Sequence, residues 1–149
     1  MKKLIIAVLS GAAMTLSMTA QAAPAEITVD PITTTDCELL ASGVKVNLSA
    51  NVSGAYECDL ETNAIQIATC HAAGSRSARD VTCRVVGQDA EGADVYNHAD
   101  CTGVADETIT DVIGFRAYVA ASSGGGVAEA ALDGACNAGN LQNLTFFAN

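Results

Sequence analysis

The stretch that decides the fold is residues 64–71, AIQIATCH, in which Ile65 and Ile67 alternate with polar or small side chains. A period of two places successive side chains on opposite faces, which is typical of a half-buried β-strand. In a second stretch of this kind, Thr108–Ala120, Asp111 is the only polar residue on the apolar face. Because turn-forming residues separate the stretches, we predict an all-β fold, either an antiparallel sandwich or barrel-like. The other predicted strands are Gly43–Val52 (GVKVNLSANV), 81–86 (VTCRVV) and Thr108–Ala120 (TITDVIGFRAYVA).

The C-terminal region departs from this alternation. The alanine-rich segment Val127–Ala135 (VAEAALDGA) predicts a short helix that ends near Gly134. We interpret Gly124–Gly126, directly before it, as a mobile loop, and Leu144–Phe147 as a short terminal strand. The fold class is therefore all-β with one short helix near the C-terminus.

The first residues of the chain have the pattern of an export signal. Lys2 and Lys3 precede an apolar stretch, Leu4–Met18, and Ala20–Ala22 supplies a small-x-small cleavage pattern. The apolar stretch is shorter than the ~20 residues that a membrane-spanning helix needs. We therefore predict that Met1–Ala22 is a secretory signal peptide of bacterial type, cleaved after Ala22.

Composition restricts what the exported chain does. Seven basic residues stand against 17 acidic ones, which argues against binding to nucleic acid. Half of the residues are hydrophobic, which excludes intrinsic disorder. No integral membrane segment is predicted after signal cleavage. We expect an extended N-terminal segment at 23–36 and one disulfide-rich β domain at 37–149, in the periplasm, at the cell surface or outside the cell.

Six cysteines follow the predicted signal peptide. An even number of cysteines in an exported chain predicts three disulfides, which also stabilise a core built largely from small side chains. The chain lacks the C-x-x-C spacing of common zinc, haem and redox sites. We therefore predict no metal and no cofactor.

The pairing of the cysteines depends on a predicted hairpin. If Ala72–Asp80 joins strands 64–71 and 81–86, Cys70 lies opposite Cys83 at a distance suited to a disulfide. Cys101 and Cys136 both follow turn-rich segments, so we predict that they form the second pair. Cys37–Cys58 is then the third predicted pair, by elimination.

Catalytic candidates are few. The only histidines are His71 and His98, and no G-x-S-x-G motif marks a nucleophile. We predict a protein without catalytic residues and keep, as a second alternative, a small hydrolase that uses one of the histidines.

An acidic loop offers a weak calcium site. Asp89, Glu91 and Asp94 lie within Gln88–Asp100, and oxygen-rich loops of this kind bind Ca²⁺ in other proteins. The spacing differs from that of an EF-hand, and a solvated turn explains the same residues.

The candidate partner-binding residues are Arg76, Arg79 and His71. A loop closed at its base by a Cys70–Cys83 disulfide, with arginines at its tip, loses little entropy on binding. This is the arrangement of a rigid recognition loop. It gives the first alternative function, a periplasmic or secreted inhibitor of a hydrolase.

The segment Ala23–Thr35 suggests a second way of binding. It alternates through Ile27 and Val29, so it is suited to pair with a sheet edge of a neighbouring subunit. In size, export signal and small-residue composition the chain is broadly similar to bacterial chaperone–usher pilins. It departs from them in having six cysteines and in its last residues, TFFAN.

Taken together, these features predict an exported, non-enzymatic cell-envelope or surface protein. We expect it to bind a protein or surface-glycan partner, or to pack into an assembly, in an adhesin- or pilin-like role.

Overall fold

The computed structural model describes residues 23–88 and 92–147, so the predicted signal peptide lies outside the described residues. The described part is mostly antiparallel β-strand, which confirms the predicted fold class. Its elements are β1 (Ala25–Glu26), β2 (Val52–Asp59), β3 (Ala64–His71), β4 (Arg79–Thr82), β5 (Val85–Gln88), β6 (Asp94–Tyr96), β7 (Thr108–Val112), β8 (Phe115–Ala121), β9 (Gly124–Leu132), α1 (Ala138–Gln142) and a 3₁₀ turn (Thr145–Phe147).

The main sheet has five antiparallel strands in the order β1-β2-β3-β8-β9. Strands β2 and β3 pair over their full length, from Val52 opposite His71 to Asp59 opposite Ala64. Two smaller pairs, β4–β7 and β5–β6, accompany the sheet.

One face of the main sheet, which we call the inner face, carries alanines at the centre of four strands. Register places Ala55 opposite Ala68, Ala68 opposite Val119, and Ala117 opposite Ala130. Small side chains leave room for large ones to approach the strands closely, so the interior packs densely. The C-terminal residues supply these large side chains, together with Val86 of β5: Leu141, Leu144, Phe146 and Phe147.

The opposite, outer face is covered near β1 and β2 by the segment that connects them, residues 27–51, which we call the covering segment. Gly54 is required there, because a Cβ atom at this position would lie 3.0 Å from Ile27 Cδ1 and 3.1 Å from Leu48 Cδ1. The disulfide Cys37–Cys58 ties the covering segment to β2.

Gly43–Val52 does not form the predicted strand. Val44 pairs only in an isolated bridge to Ile32, and Val52 is the first residue of β2. Val46 and Leu48 are half-buried while their neighbours are exposed, so the alternation is present without a partner strand. An alternating pattern indicates which side chains face the core, but it does not show whether the backbone is hydrogen-bonded to a partner strand.

The predicted hairpin between 64–71 and 81–86 is wrong. Residues 64–71 form β3 with the expected bounds, but β3 pairs with β2 and β8. The second stretch divides at residues 83–84 between β4, which pairs with β7, and β5, which pairs with β6.

The predicted strand Thr108–Ala120 is two strands, β7 and β8. Asp111 has a φ of 55° and Gly114 a φ of 135°, values at which a regular strand breaks. Asp111, the one polar residue on the apolar face, therefore lies close to the point where the chain passes from the β4–β7 pair to the main sheet.

The C-terminal predictions are wrong in detail. Val127–Ala135 is not a helix, because most of it belongs to β9, which pairs along β8. The short helix is α1, whose first turn is capped by the side chain of Asn137 accepting from the Asn140 N–H. Gly124–Gly126 begins β9, and Leu144–Phe147 contains the 3₁₀ turn instead of a strand.

The structure contains three disulfides. Cys37–Cys58 agrees with the predicted pair. The predicted pairs Cys70–Cys83 and Cys101–Cys136 are wrong: Cys70 is bonded to Cys136, and Cys83 to Cys101. The first of these links central strand β3 to the segment after β9, and the second links the β4–β5 connection to the segment after β6. The error follows from the hairpin, since Cys70 lies in β3 of the main sheet, whereas Cys83 lies in the connection between β4 and β5.

Candidate functional site

A groove of about 650 Å³ opens between β5 and the first half of β9. Buried Val119 of β8 lies at its floor beside Ala128, its partner in β9. The rim carries two exposed valines, Val85 (50% exposed) and Val127 (71% exposed). We call this feature the β5–β9 groove. It presents apolar side chains that the fold itself leaves uncovered.

The backbone along the β5–β9 groove is open on one side of β9. Within the described ranges, no backbone hydrogen bond joins β5 to residues 124–128. The edge of β9 is covered only further along, where the Ala131 N–H donates to the Asn97 carbonyl at 3.3 Å. An unpaired strand edge of this kind is a template for another strand.

Arg84 stands at the mouth of the β5–β9 groove and is exposed. Buried Asn97 fixes its position: Asn97 Oδ1 accepts from the Arg84 backbone N–H at 2.8 Å, and Asn97 Nδ2 donates to the Thr82 carbonyl at 3.1 Å. Arg84 forms no salt bridge with any residue that the structure describes. It is therefore an exposed cation beside the groove in a strongly acidic chain.

The predicted partner-binding arginines are engaged with the protein's own sheet. The Arg76 guanidinium lies over the Phe115 ring, 4.9 Å from its centroid. Arg79 bonds to Glu129 through Nε and to the Val112 carbonyl through its terminal nitrogen at 3.2 Å. Since no Cys70–Cys83 bond closes this loop, the rigid inhibitor loop predicted from the sequence lacks its structural basis.

The two histidines are arranged as turn residues. Nδ1 of exposed His71 accepts the Ala73 N–H at 3.0 Å, and Nδ1 of His98 accepts the Asp100 N–H at 3.2 Å. In a neutral ring this places the proton on Nε2, which then donates and does not act as a base. A general base working through Nε2 needs the opposite tautomer.

Of the three calcium candidates, only Asp94 is among the residues that the structure describes. Asp89 and Glu91 lie outside the described residues. Asp94 is exposed, and its Oδ1 accepts from Gln88 Nε2 at 3.2 Å.

Three side chains of types that can coordinate a metal ion lie close together next to the β4–β5 connection. The sulfurs of Cys83 and Cys101 and the Glu107 carboxylate lie within 4.8 Å of one another. The sulfurs are bonded to each other, and Glu107 accepts the Thr102 N–H at 2.6 Å. Metal binding needs thiolates, which this disulfide does not provide.

Two buried acidic groups, Glu57 and Asp59, lie on the inner face of β2. Glu57, only 3% exposed, stands opposite Gln66 in the sheet register. Burial, together with the negative charge of Asp59, raises the pKa of the Glu57 carboxyl to about 7. Asp59 accepts hydrogen bonds from the N–H groups of Glu61 and Thr62, which build the β2–β3 turn.

Comparison of the chain with protein-family models, with curated proteins and with solved structures finds no match. No helix among the described residues is both long and apolar enough to cross a membrane.

Proposed function

We propose that this chain is an exported, non-enzymatic cell-envelope or surface protein that binds an extended segment of a protein partner in the β5–β9 groove. The observation that carries the proposal is the open edge of β9 beside a floor and rim of apolar side chains. Three disulfides suit a protein that works in an oxidising compartment.

The backbone of the partner supplies the first part of the binding energy. Added strands bind through main-chain hydrogen bonds to an exposed edge, while pockets for alternate side chains give specificity. Residues 124–128 span about 16 Å at roughly 3.3 Å per residue, which accommodates a strand of about five residues.

The side chains of the groove define the partner's chemistry. Val85 and Val127 at the rim and Ala128 at the floor favour β-branched or other apolar side chains at alternate positions. Arg84 at the mouth favours an acidic residue beside them. Because an exposed ion pair contributes only about 0–1 kcal/mol, Arg84 sets orientation and association rate more than affinity.

The N-terminal segment is not the binding element in this proposal. Ala25 and Glu26 pair with Tyr56 and Ala55 of the chain's own β2. The Ile27 N–H donates to the Gly54 carbonyl at 2.9 Å, and the Ile27 side chain is buried. The part of Ala23–Thr35 predicted to pair with a neighbouring subunit thus completes the edge of its own sheet.

The test uses random peptides displayed on phage and selected on the oxidised protein. Selected peptides should combine β-branched residues with an acidic residue. They should slow hydrogen exchange at the amides of residues 124–128, because a paired edge no longer opens to water. Protection confined to any other part of the chain would contradict the proposal.

A matched pair of variants sharpens the test. Val127→Glu places a carboxylate on the rim and should weaken peptide binding by about tenfold or more, measured by titration calorimetry. Val29→Glu makes the same change at a valine that is 80% exposed and lies outside the groove, so it should leave the affinity unchanged. Equal affinities for both variants would remove the β5–β9 groove as the site.

A further inference from the structure

A second cavity, of about 360 Å³, lies on the outer face, where the covering segment meets the main sheet. We call it the outer-face pocket. Val44 and Val46 of the covering segment form one wall, Ile65 and Ile67 of β3 the other, and Tyr56 of β2 also lines it. The two sites share Ala120 and Ala121 of β8, but none of these five residues lines the β5–β9 groove.

We propose that the outer-face pocket binds a small, uncharged, apolar molecule. The volume is at the lower end of the roughly 300–1,000 Å³ found for small-molecule sites, and apolar side chains dominate such sites. Water is a poor occupant of an apolar cavity, because it finds too few hydrogen-bond partners there. An apolar guest therefore gains from burial at no cost in lost hydrogen bonds.

The charges around the pocket select against anions. No charged side chain belongs to the lining. Burial, and after it the negative charge of Asp36, raises the pKa of Tyr56 in the lining. Thr33 holds Asp36 in place through its N–H at 2.8 Å and its hydroxyl at 2.7 Å. A ligand carboxylate would lose its water without gaining a cation, and Asp36 would repel it.

Two hydroxyl groups in the lining, those of Tyr56 and Ser122, can orient the guest. The Tyr56 phenol stays protonated at neutral pH, and no hydrogen bond joins it to another described residue. Ser122 also lines the pocket; its hydroxyl oxygen accepts the Ile65 N–H at 2.8 Å, and its own O–H can still donate to a guest. The site thus fits an apolar body with a single hydroxyl or carbonyl oxygen.

The probes that test this are 1-decanol and decanoate, which share a chain and differ in charge. Each is titrated at neutral pH against the oxidised protein loaded with the uncharged fluorophore N-phenyl-1-naphthylamine. We expect saturable one-to-one binding of the fluorophore, and displacement by 1-decanol at a concentration at least about tenfold below that needed for decanoate. Absence of saturable binding, or equal displacement by the two probes, would overturn the proposal.

Variants separate this pocket from the rest of the surface. Val46→Phe fills the pocket and should weaken fluorophore binding at least about tenfold, whereas Val104→Phe, the same change at an exposed loop valine, should not alter it. Val44→Lys changes an exposed position on the rim, so it preserves the fold while adding a cation, and it should reverse the preference toward decanoate. Unchanged binding in Val46→Phe, or unchanged preference in Val44→Lys, would refute the assignment. Val127→Glu should not affect any of these titrations.

Discussion

At the scale of single residues, the buried carboxyl of Glu57 is the least expected feature. A charged side chain in a strand normally faces solvent, yet Glu57, between Tyr56 and Cys58, lies where both faces of β2 are covered. Sequence periodicity cannot show this, because the covering segments come from residues that are distant in the chain. Asp111 is the opposite case. Its place on an apolar face is visible in the sequence, and with a φ of 55° it lies near the end of β7, just before the break at residues 113–114.

Glu57 makes stability depend on pH. Burial raises its pKa from 4.5 to about 7, so the folded state takes up a proton that the unfolded state has released. The resulting cost is absent below the unfolded pKa and grows to its full value as pH rises through the folded pKa. Glu57→Gln should therefore raise the free energy of unfolding by about 1–2 kcal/mol at pH 8, and by much less near pH 4.5.

Urea denaturation at the two pH values measures this difference. Exposed Glu38, for which Glu38→Gln makes the same change, is the control and should show no pH-dependent gain. A gain for Glu57→Gln that stays constant between the two pH values would contradict the assignment.

At the scale of elements, local pattern predicted strand content better than pairing. β3 was placed with its correct bounds, because its alternation is regular. β9 was mistaken for a helix, because alanine favours helices in isolation, whereas pairing with β8 and burial of Ala128 and Ala130 decide the structure. None of the partner-binding residues predicted from the sequence, Arg76, Arg79 and His71, lines the β5–β9 groove. Val85 and Val127 carry no sequence signal, since an unpaired edge exists only once all strands are assembled.

Strand β2 depends on a glycine for its contact with the covering segment. In Gly54→Ala the new methyl group would meet Ile27 and Leu48 at about the limit of contact, so the covering segment must shift. We expect a loss of about 1 kcal/mol in the free energy of unfolding. Gly87→Ala, in β5, is the matched control, because its nearest neighbour would lie 3.9 Å away. Thermal denaturation of both variants checks this, and equal melting temperatures would show that the covering segment is not tightly seated.

At the scale of the whole molecule, the cysteine count predicted three crosslinks, but spacing could not give their pairing. Cys70 and Cys136 are separated by 66 residues, and they meet only because the C-terminal segment returns over the inner face. A pairing that depends on long-range topology is invisible to local arguments. The predicted export is compatible with these bonds, and it remains a prediction.

The three crosslinks should differ in their contribution to stability. In the chain-entropy description, a loop of 66 residues contributes about 4 kcal/mol and one of 18 residues about 3 kcal/mol. Replacing both cysteines of Cys70–Cys136 by alanine should therefore lower the free energy of unfolding more than the same replacement of Cys83–Cys101. Urea denaturation without reductant measures both. A larger loss for Cys83–Cys101 would show that local packing outweighs loop length.

The Cys70–Cys136 bond also determines how the protein responds to mechanical tension. When the chain is pulled from its ends, force passes from Cys70 directly to Cys136 through sulfur and bypasses everything between them. Both walls of the β5–β9 groove, at Val85 and at residues 124–128, lie inside this bypassed loop. Tension applied to the flanking segments would therefore not be carried by the stretch of chain that forms the groove.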